Sequence, residues 1–217
     1  HALKEKLPNE NIIYFGDTEH LPYGEKSDIA IQNFSKRICE FLIEKQCKII
    51  IIACNSASSV AYNEVVKAAN NIPVFNAIDP VVTEVTKHCS HKNIGVIGTK
   101  ATIQSKSYQQ RIKKICPMAK VATLATPLLA PMIEEGFVNE EISHTIIANY
   151  LSKKELKNID YLILACTHYP LIHQEICNYY EDKINVIDSA NIVADHIVQQ
   201  LNLQDLLKNS PNTEHHF

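Results

Sequence analysis

Apolar residues along this chain alternate between two habits. Short unbroken runs, rich in Ile, Val and Leu, fall at residues 11–16, 48–54, 74–78, 94–97, 120–126, 160–166 and 185–187. Runs of this length and composition predict strands buried on both faces of a parallel sheet. Between them, apolar positions recur every three or four residues. Over 27–44, Ile29, Ile31, Phe34, Ile38, Phe41 and Leu42 gather on one side of a predicted helix. Further helices are predicted at 56–69, from Asp79 with Pro80 in a favoured first-turn position, at 102–115, at 128–135 ended by Gly136, at 141–152, from Tyr169 onward, and at 190–201 behind an Asp188–Ser189 cap. Residues 2–7 read as the end of a helix, and 202–213 as a polar, mobile connection.

Strand and helix alternating throughout predict an α/β protein of mainly parallel sheets with right-handed crossovers. The pattern restarts near His91–Asn93, and a capped helix returns at Asp188. We therefore expect two pseudo-symmetric lobes, one formed by residues 1–78 with 188–217 and the other by 79–187, with the site in the cleft between them.

Composition narrows the classes. With 46% hydrophobic and 21% charged residues the chain is ordinary for a globular protein, and a net charge of −3 leaves no basic face for nucleic acid. The longest aliphatic run is far shorter than the roughly 20 residues a membrane span needs, and no signal peptide is visible. Seven cysteines at 39, 47, 54, 89, 116, 166 and 177 include no C-x-x-C pair. An odd, unpatterned set favours reduced thiols and a cytoplasmic location. Cys39, Cys47 and Cys177 read as small buried hydrophobes.

Cys54 and Cys166 stand apart. Each ends an apolar run and is followed by small hydrogen-bonding residues, Asn55 and Ser56 after the first, Thr167 and His168 after the second. The carboxyl end of a parallel strand is where open α/β sheets bind ligands. A thiol from each half suits chemistry that needs an acid and a base on opposite faces of one carbon. Both cysteines precede predicted helices, whose N–H groups and dipole would favour the thiolate. Asn55, Ser56 and Thr167 supply neutral donors for a substrate carboxylate. His168 could set the ionisation of the Cys166 thiol, donate to a substrate carboxylate, or serve only as a surface or capping residue. Cys166 and His168 lack the further pair that structural zinc requires. No G-x-G-x-x-G, P-loop or H-E-x-x-H is present, and no lysine context marks a pyridoxal site. No metal and no cofactor are expected.

The motifs resemble the cofactor-independent aspartate/glutamate racemase superfamily, and within it the glutamate racemases. The likeness rests on Ala53-Cys54-Asn55-Ser56-Ala57 and Ala165-Cys166-Thr167-His168-Tyr169-Pro170, with Asp17-Thr18 and Pro22-Tyr23-Gly24 before them. Gly95-Val96-Ile97-Gly98-Thr99, Ala101-Thr102-Ile103, Pro131-Met132-Ile133-Glu134-Glu135-Gly136 and Ile187-Asp188-Ser189 follow in the family's order. The resemblance implies interconversion of L- and D-glutamate for the bacterial cell wall, with Cys54 and Cys166 as the catalytic pair. It implies substrate binding by Tyr23, Gly24, Asn55, Ser56, Thr167 and His168, with Pro22, Thr99, Thr102 and Glu134 lining the cleft. Where the family usually has threonine this chain has Ser56, which keeps the hydroxyl. The family pattern also implies an Asp-Ser-Gly strand ahead of the first helix and a strand and helix after Phe217, so the 217 residues are expected to be a fragment. The implied partner is glutamate, and a homodimer is compatible with the sequence. Three other readings stay open: an aspartate racemase, a Cys/His acyl-transfer enzyme using Cys166 and His168, and a non-catalytic binding protein of the same bilobal shape.

Overall fold

The computed structural model describes residues 2–87, 92–208 and the backbone of 215–216. A short helix, α1 (Ala2–Lys6), leads into β1 (Ile12–Ile13), then a turn of 3-10 helix at Tyr23–Glu25. Helix α2 (Asp28–Glu44) begins where the Ser27 hydroxyl accepts from the Ala30 N–H. Strand β2 (Ile50–Ile52) follows, then α3 (Asn55–Val60), α4 (Tyr62–Ala68), β3 (Val74–Asn76) and α5 (Asp79–Thr86). Next come β4 (Asn93–Gly98), α6 (Lys100–Gln104), α7 (Ser107–Ile115), β5 (Lys120–Ala125), α8 (Leu129–Glu134) and α9 (Glu141–Leu151). The chain continues through β6 (Tyr161–Ala165), a 3-10 turn at Tyr169–Ile172, α10 (His173–Tyr179), β7 (Asn185–Asp188), α11 (Ser189–Leu203) and β8 (His215–His216).

Every described ladder is parallel, in keeping with the predicted α/β class. The largest sheet has the order β5-β4-β6-β7; β2 pairs with β3, and β1 with β8. The central strands β4 and β6 are almost wholly buried, as their unbroken apolar runs require. One core lies between this sheet and α5, α7 and α11, the other between it and α8, α9 and α10. A third joins α2, α3 and α4 to β2.

Several elements depart from the sequence pattern. The runs at 11–16 and 48–54 form only short ladders, β1 with β8 and β2 with β3, and both runs line a cavity of about 1030 Å³. The helix expected at 56–69 divides at Ala61, just after Ser58 and Ser59, whose hydroxyls donate to the Ile52 and Ser56 carbonyls. The helix expected at 102–115 begins at Lys100 and breaks at Lys106, whose φ of 57° is left-handed. There the Ser105 hydroxyl donates to the Thr102 carbonyl and accepts from the Ser107 N–H, closing one helix and opening the next. At 202–213, Leu206 and Leu207 pack on the core, the Lys208 N–H donates to buried Glu10, and Lys48 bonds both Glu10 and the Leu206 carbonyl. That described part is anchored, contrary to the expected mobile connection; the rest of the stretch lies outside the described residues.

The cysteines also need a correction. Cys39, Cys47, Cys54, Cys166 and Cys177 are free, but Cys116 is disulfide-bonded. The expectation of reduced thiols fails there, since chain folding makes such a pair without any local spacing motif. Cys89 and the restart point at His91 also lie outside the described residues. No described helix is long and apolar enough to cross a membrane.

Candidate active site

The carboxyl ends of β2 and β6 open on the same cavity, so Cys54 and Cys166 both line it. Pro22, Tyr23, Gly24, Asn55, Ser56, Thr99, Glu134, Thr167 and His168 line it as well. Thr102, the remaining expected residue, is buried at 1% exposure behind Ser56 and Thr99 and does not reach the cavity wall.

Both thiols hold their protons more tightly than an ordinary cysteine. Burial raises Cys54, and the Ala57 and Ser56 N–H groups with the Ser56 hydroxyl offset this only in part. Burial pushes Cys166 up to about 12; the His168 and Tyr169 N–H groups pull it down, while Cys54 and the Glu134 carboxylate push it further up. The helix-start N–H groups act in the expected direction, but desolvation is the larger effect, so the expected stabilised thiolate does not follow. The repulsion between the two sulfurs shows that they share one electrostatic environment. Such a pair resists holding two negative charges at once.

His168 links Cys166 to a carboxylate. Its Nδ1 is 3.6 Å from the sulfur and its Nε2 is 2.9 Å from Glu134 Oε1. A carboxylate can only accept, so Nε2 donates to Glu134, and Nδ1 faces the sulfur, where it can accept the thiol proton or donate to the thiolate. Of the roles left open for His168, this geometry suits a proton acceptor and donor for Cys166.

On the other side, Ser56 Oγ lies 2.8 Å from Thr99 Oγ1, which is 3.1 Å from Thr102 Oγ1. These hydroxyls join α3 to the start of α6, where Thr99 is the N-cap. Gly24 is required by the same junction: a Cβ there would stand 2.6 Å from Thr99 Cβ. Asn55 is 2% exposed, and its Oδ1 accepts from the Tyr108 hydroxyl at 2.7 Å. Its Nδ2 is one of two buried side-chain nitrogen or oxygen atoms, the other being Tyr180 Oη, left without a hydrogen-bond partner among the described residues. A buried donor in that state costs about 1–3 kcal/mol unless a ligand meets it.

Sequence reasoning missed three contributors. Asp17 accepts from the Tyr23 hydroxyl at 2.6 Å and lies 2.7 Å from His20 Nδ1, while the His20 ring stacks on Phe34. Burial alone would raise Asp17, but these hydrogen bonds outweigh it and hold the carboxyl below its ordinary value. Tyr23 is raised by burial first, then by Asp17 and Cys54, which keeps it a neutral donor. Asp17 belongs to the Asp17-Thr18 motif, which by itself gives the carboxylate no role, and nothing local distinguishes His20 or Tyr108.

Residues 1–197 match the family described as Asp/Glu/Hydantoin racemase. The chain is 41% identical to glutamate racemase of Aquifex aeolicus over 209 residues, 96% of this chain and 78% of that one. It is 37% identical to glutamate racemase of Geobacter metallireducens over 97% of this chain and 78% of that protein. Among solved structures, glutamate racemase of Francisella tularensis in complex with D-glutamate superimposes with a TM-score of 0.93 at 39% identity, covering 99% of this chain and 80% of the other.

Proposed function

Since this chain belongs to the Asp/Glu/hydantoin racemase family, among its glutamate racemases, we propose that it interconverts L- and D-glutamate with Cys54 and Cys166 as paired bases. The observation that carries this reading is that two free thiols, on strands from the two halves of the sequence, end at one cavity and feel each other's charge.

The α-proton of an amino acid is weakly acidic, and its removal leaves negative charge spread into the neighbouring carboxylate. Donors aimed at that carboxylate hold it in the ground state and meet the added charge in the transition state. Asn55 Nδ2, the Ser56 hydroxyl and Thr167 supply them. A thiolate withdrawn from water is more basic than one in water, so the burial that disfavours ionisation also strengthens the base.

His168 relieves the cost of forming that thiolate at Cys166. It takes the thiol proton at Nδ1 and becomes an imidazolium paired with Glu134. The Cys166 thiolate then removes the α-proton while the Cys54 thiol delivers its own proton to the opposite face. After one turnover the thiolate is on Cys54 and the enzyme is set for the other enantiomer. The scheme calls for one charge on two thiols, which their mutual repulsion favours. The same reading includes residues 1–78 with 188–217 and residues 79–187 as two lobes around the substrate, a cytoplasmic location, a role in cell-wall precursor supply, and a homodimer. Light scattering tests the last.

The test is isotopic. In D₂O, product formed from either enantiomer in the first turnovers carries α-deuterium, because the delivering thiol has exchanged with solvent. Unreacted substrate carries little. Product that keeps the original proton would mean one base serves both faces and would defeat the scheme.

A further inference from the structure

Tyr108 takes no part in the scheme above, yet the fold commits it to a single contact at the site. It is 2% exposed, on α7, and its hydroxyl donates to Oδ1 of Asn55 on α3 at 2.7 Å. The break at Lys106 sets the direction of α7, and Ser107 donates to the Ser59 carbonyl at 2.9 Å, fastening α7 to α3 one residue before Tyr108. Fully buried Ile112, one turn further along, anchors the helix in the core. The phenol therefore has little freedom to follow a moving amide.

The two ends of an asparagine amide are nearly the same size, but one donates and the other accepts. An amide free to turn over can present either end. Against a carboxylate the nitrogen end attracts and the oxygen end repels. With the amide turned over, Nδ2 would donate to the phenol oxygen and the buried phenol proton would lose its one acceptor among the described residues, which opposes the turn. Burial raises the Tyr108 phenol above its ordinary value, so the proton remains in place at any working pH.

We propose that Tyr108 is a positioning residue that holds Asn55 with its amide nitrogen toward the substrate carboxylate, which presupposes the reading of Asn55 as a substrate donor. The unpartnered Nδ2 is the structural trace of this arrangement. In this role Tyr108 acts through Asn55, the residue to which its hydroxyl donates.

The experiment is a double-mutant cycle on the purified enzyme, with KM and kcat for both glutamate enantiomers. Melting curves of every variant first set an assay temperature below all the transitions. Tyr108→Phe removes one oxygen and keeps the ring; it raises KM about tenfold with kcat within about twofold, since the lost contact serves ground and transition states alike. In an Asn55→Ala background the same change adds less than about twofold. Replacing Tyr108 by para-aminophenylalanine, which keeps a donor in place, restores KM to within about threefold of the parent. A KM unchanged by Tyr108→Phe, while Asn55→Ala is impaired, overturns the positioning role and leaves the donor reading intact. Equal effects of Tyr108→Phe in both backgrounds also overturn it, because the tyrosine then acts through packing. A silent Asn55→Ala instead overturns the donor reading itself and the positioning role with it.

Discussion

At the scale of single residues, the two sulfurs face opposed demands: burial makes each a stronger base and a rarer one. Cys166 is held near 12 and Cys54 above its ordinary value, so the ionised fraction at neutral pH is small. For a thiol raised in this way, ionisation continues to grow tenfold per pH unit beyond the ordinary value of 9.0. Alkylation of Cys166 by iodoacetamide in the substrate-free enzyme should therefore climb steadily from pH 7 to 9 without levelling. A plateau near pH 8 would show a thiolate stabilised below the ordinary value. Cys54→Ala and Cys166→Ala should each lower net racemisation by more than about a thousandfold, as loss of one obligatory proton carrier requires. Asn55→Ala removes a charge-assisted hydrogen bond worth roughly 1.5–3 kcal/mol. A ten- to hundredfold fall in kcat/KM should follow, read from initial rates in either direction. The cysteines and their neighbours were visible in the sequence, because chemistry at a strand end leaves a local signature. Tyr108 was not, since its role arises from a contact with a residue on a distant helix.

At the scale of elements, the site is assembled by close junctions between short pieces. The turn at Tyr23–Glu25 packs against the start of α6 so tightly that Gly24 has no room for a side chain beside Thr99. Gly24→Ala forces the turn and the Thr99 cap apart, and overpacking of this kind costs about 1–3 kcal/mol. The urea midpoint should fall accordingly. Catalytic efficiency should fall with it by at least about tenfold, since Tyr23 and the Ser56–Thr99 pair move together. An unchanged midpoint would mean that the turn adjusts freely. The helix breaks at Ala61 and Lys106 belong to this scale too. Hydrophobic periodicity runs straight through both, because periodicity registers which face is buried and not where a serine hydroxyl takes over a backbone partner.

For the molecule as a whole, burial of tyrosine hydroxyls links stability to alkaline pH. Tyr23, Tyr108 and Tyr169 are raised above their ordinary value of 10.0 and Tyr180 to about 12, in each case by burial first. The unfolded chain loses these protons near pH 10 while the native state keeps them. Their contribution is fully present below that pH and is lost as the pH rises above it through the native values. Each fully buried phenol contributes up to about 1.4 kcal/mol per pH unit in that range. The melting temperature should drop steeply above pH 10, and absorbance titration of the native protein should show a late-ionising group of tyrosines. Titration of all the tyrosines near pH 10 in the folded protein would contradict this.

The sequence by itself determined the alternation of strand and helix, the parallel sheets and the two strand-end thiols. All of these are written in local apolar runs, caps and short motifs, and a run buried on both faces looks the same in any fold that buries it. Only the tertiary structure decided that β1 and β2 flank a cavity, that Cys116 is disulfide-bonded, that His168 joins Cys166 to Glu134, and that desolvation outweighs the helix-start N–H groups at both sulfurs. Each of these depends on distance and burial between residues far apart in the chain. Spacing along the sequence carries no information about such distances, because they are set by how the elements pack.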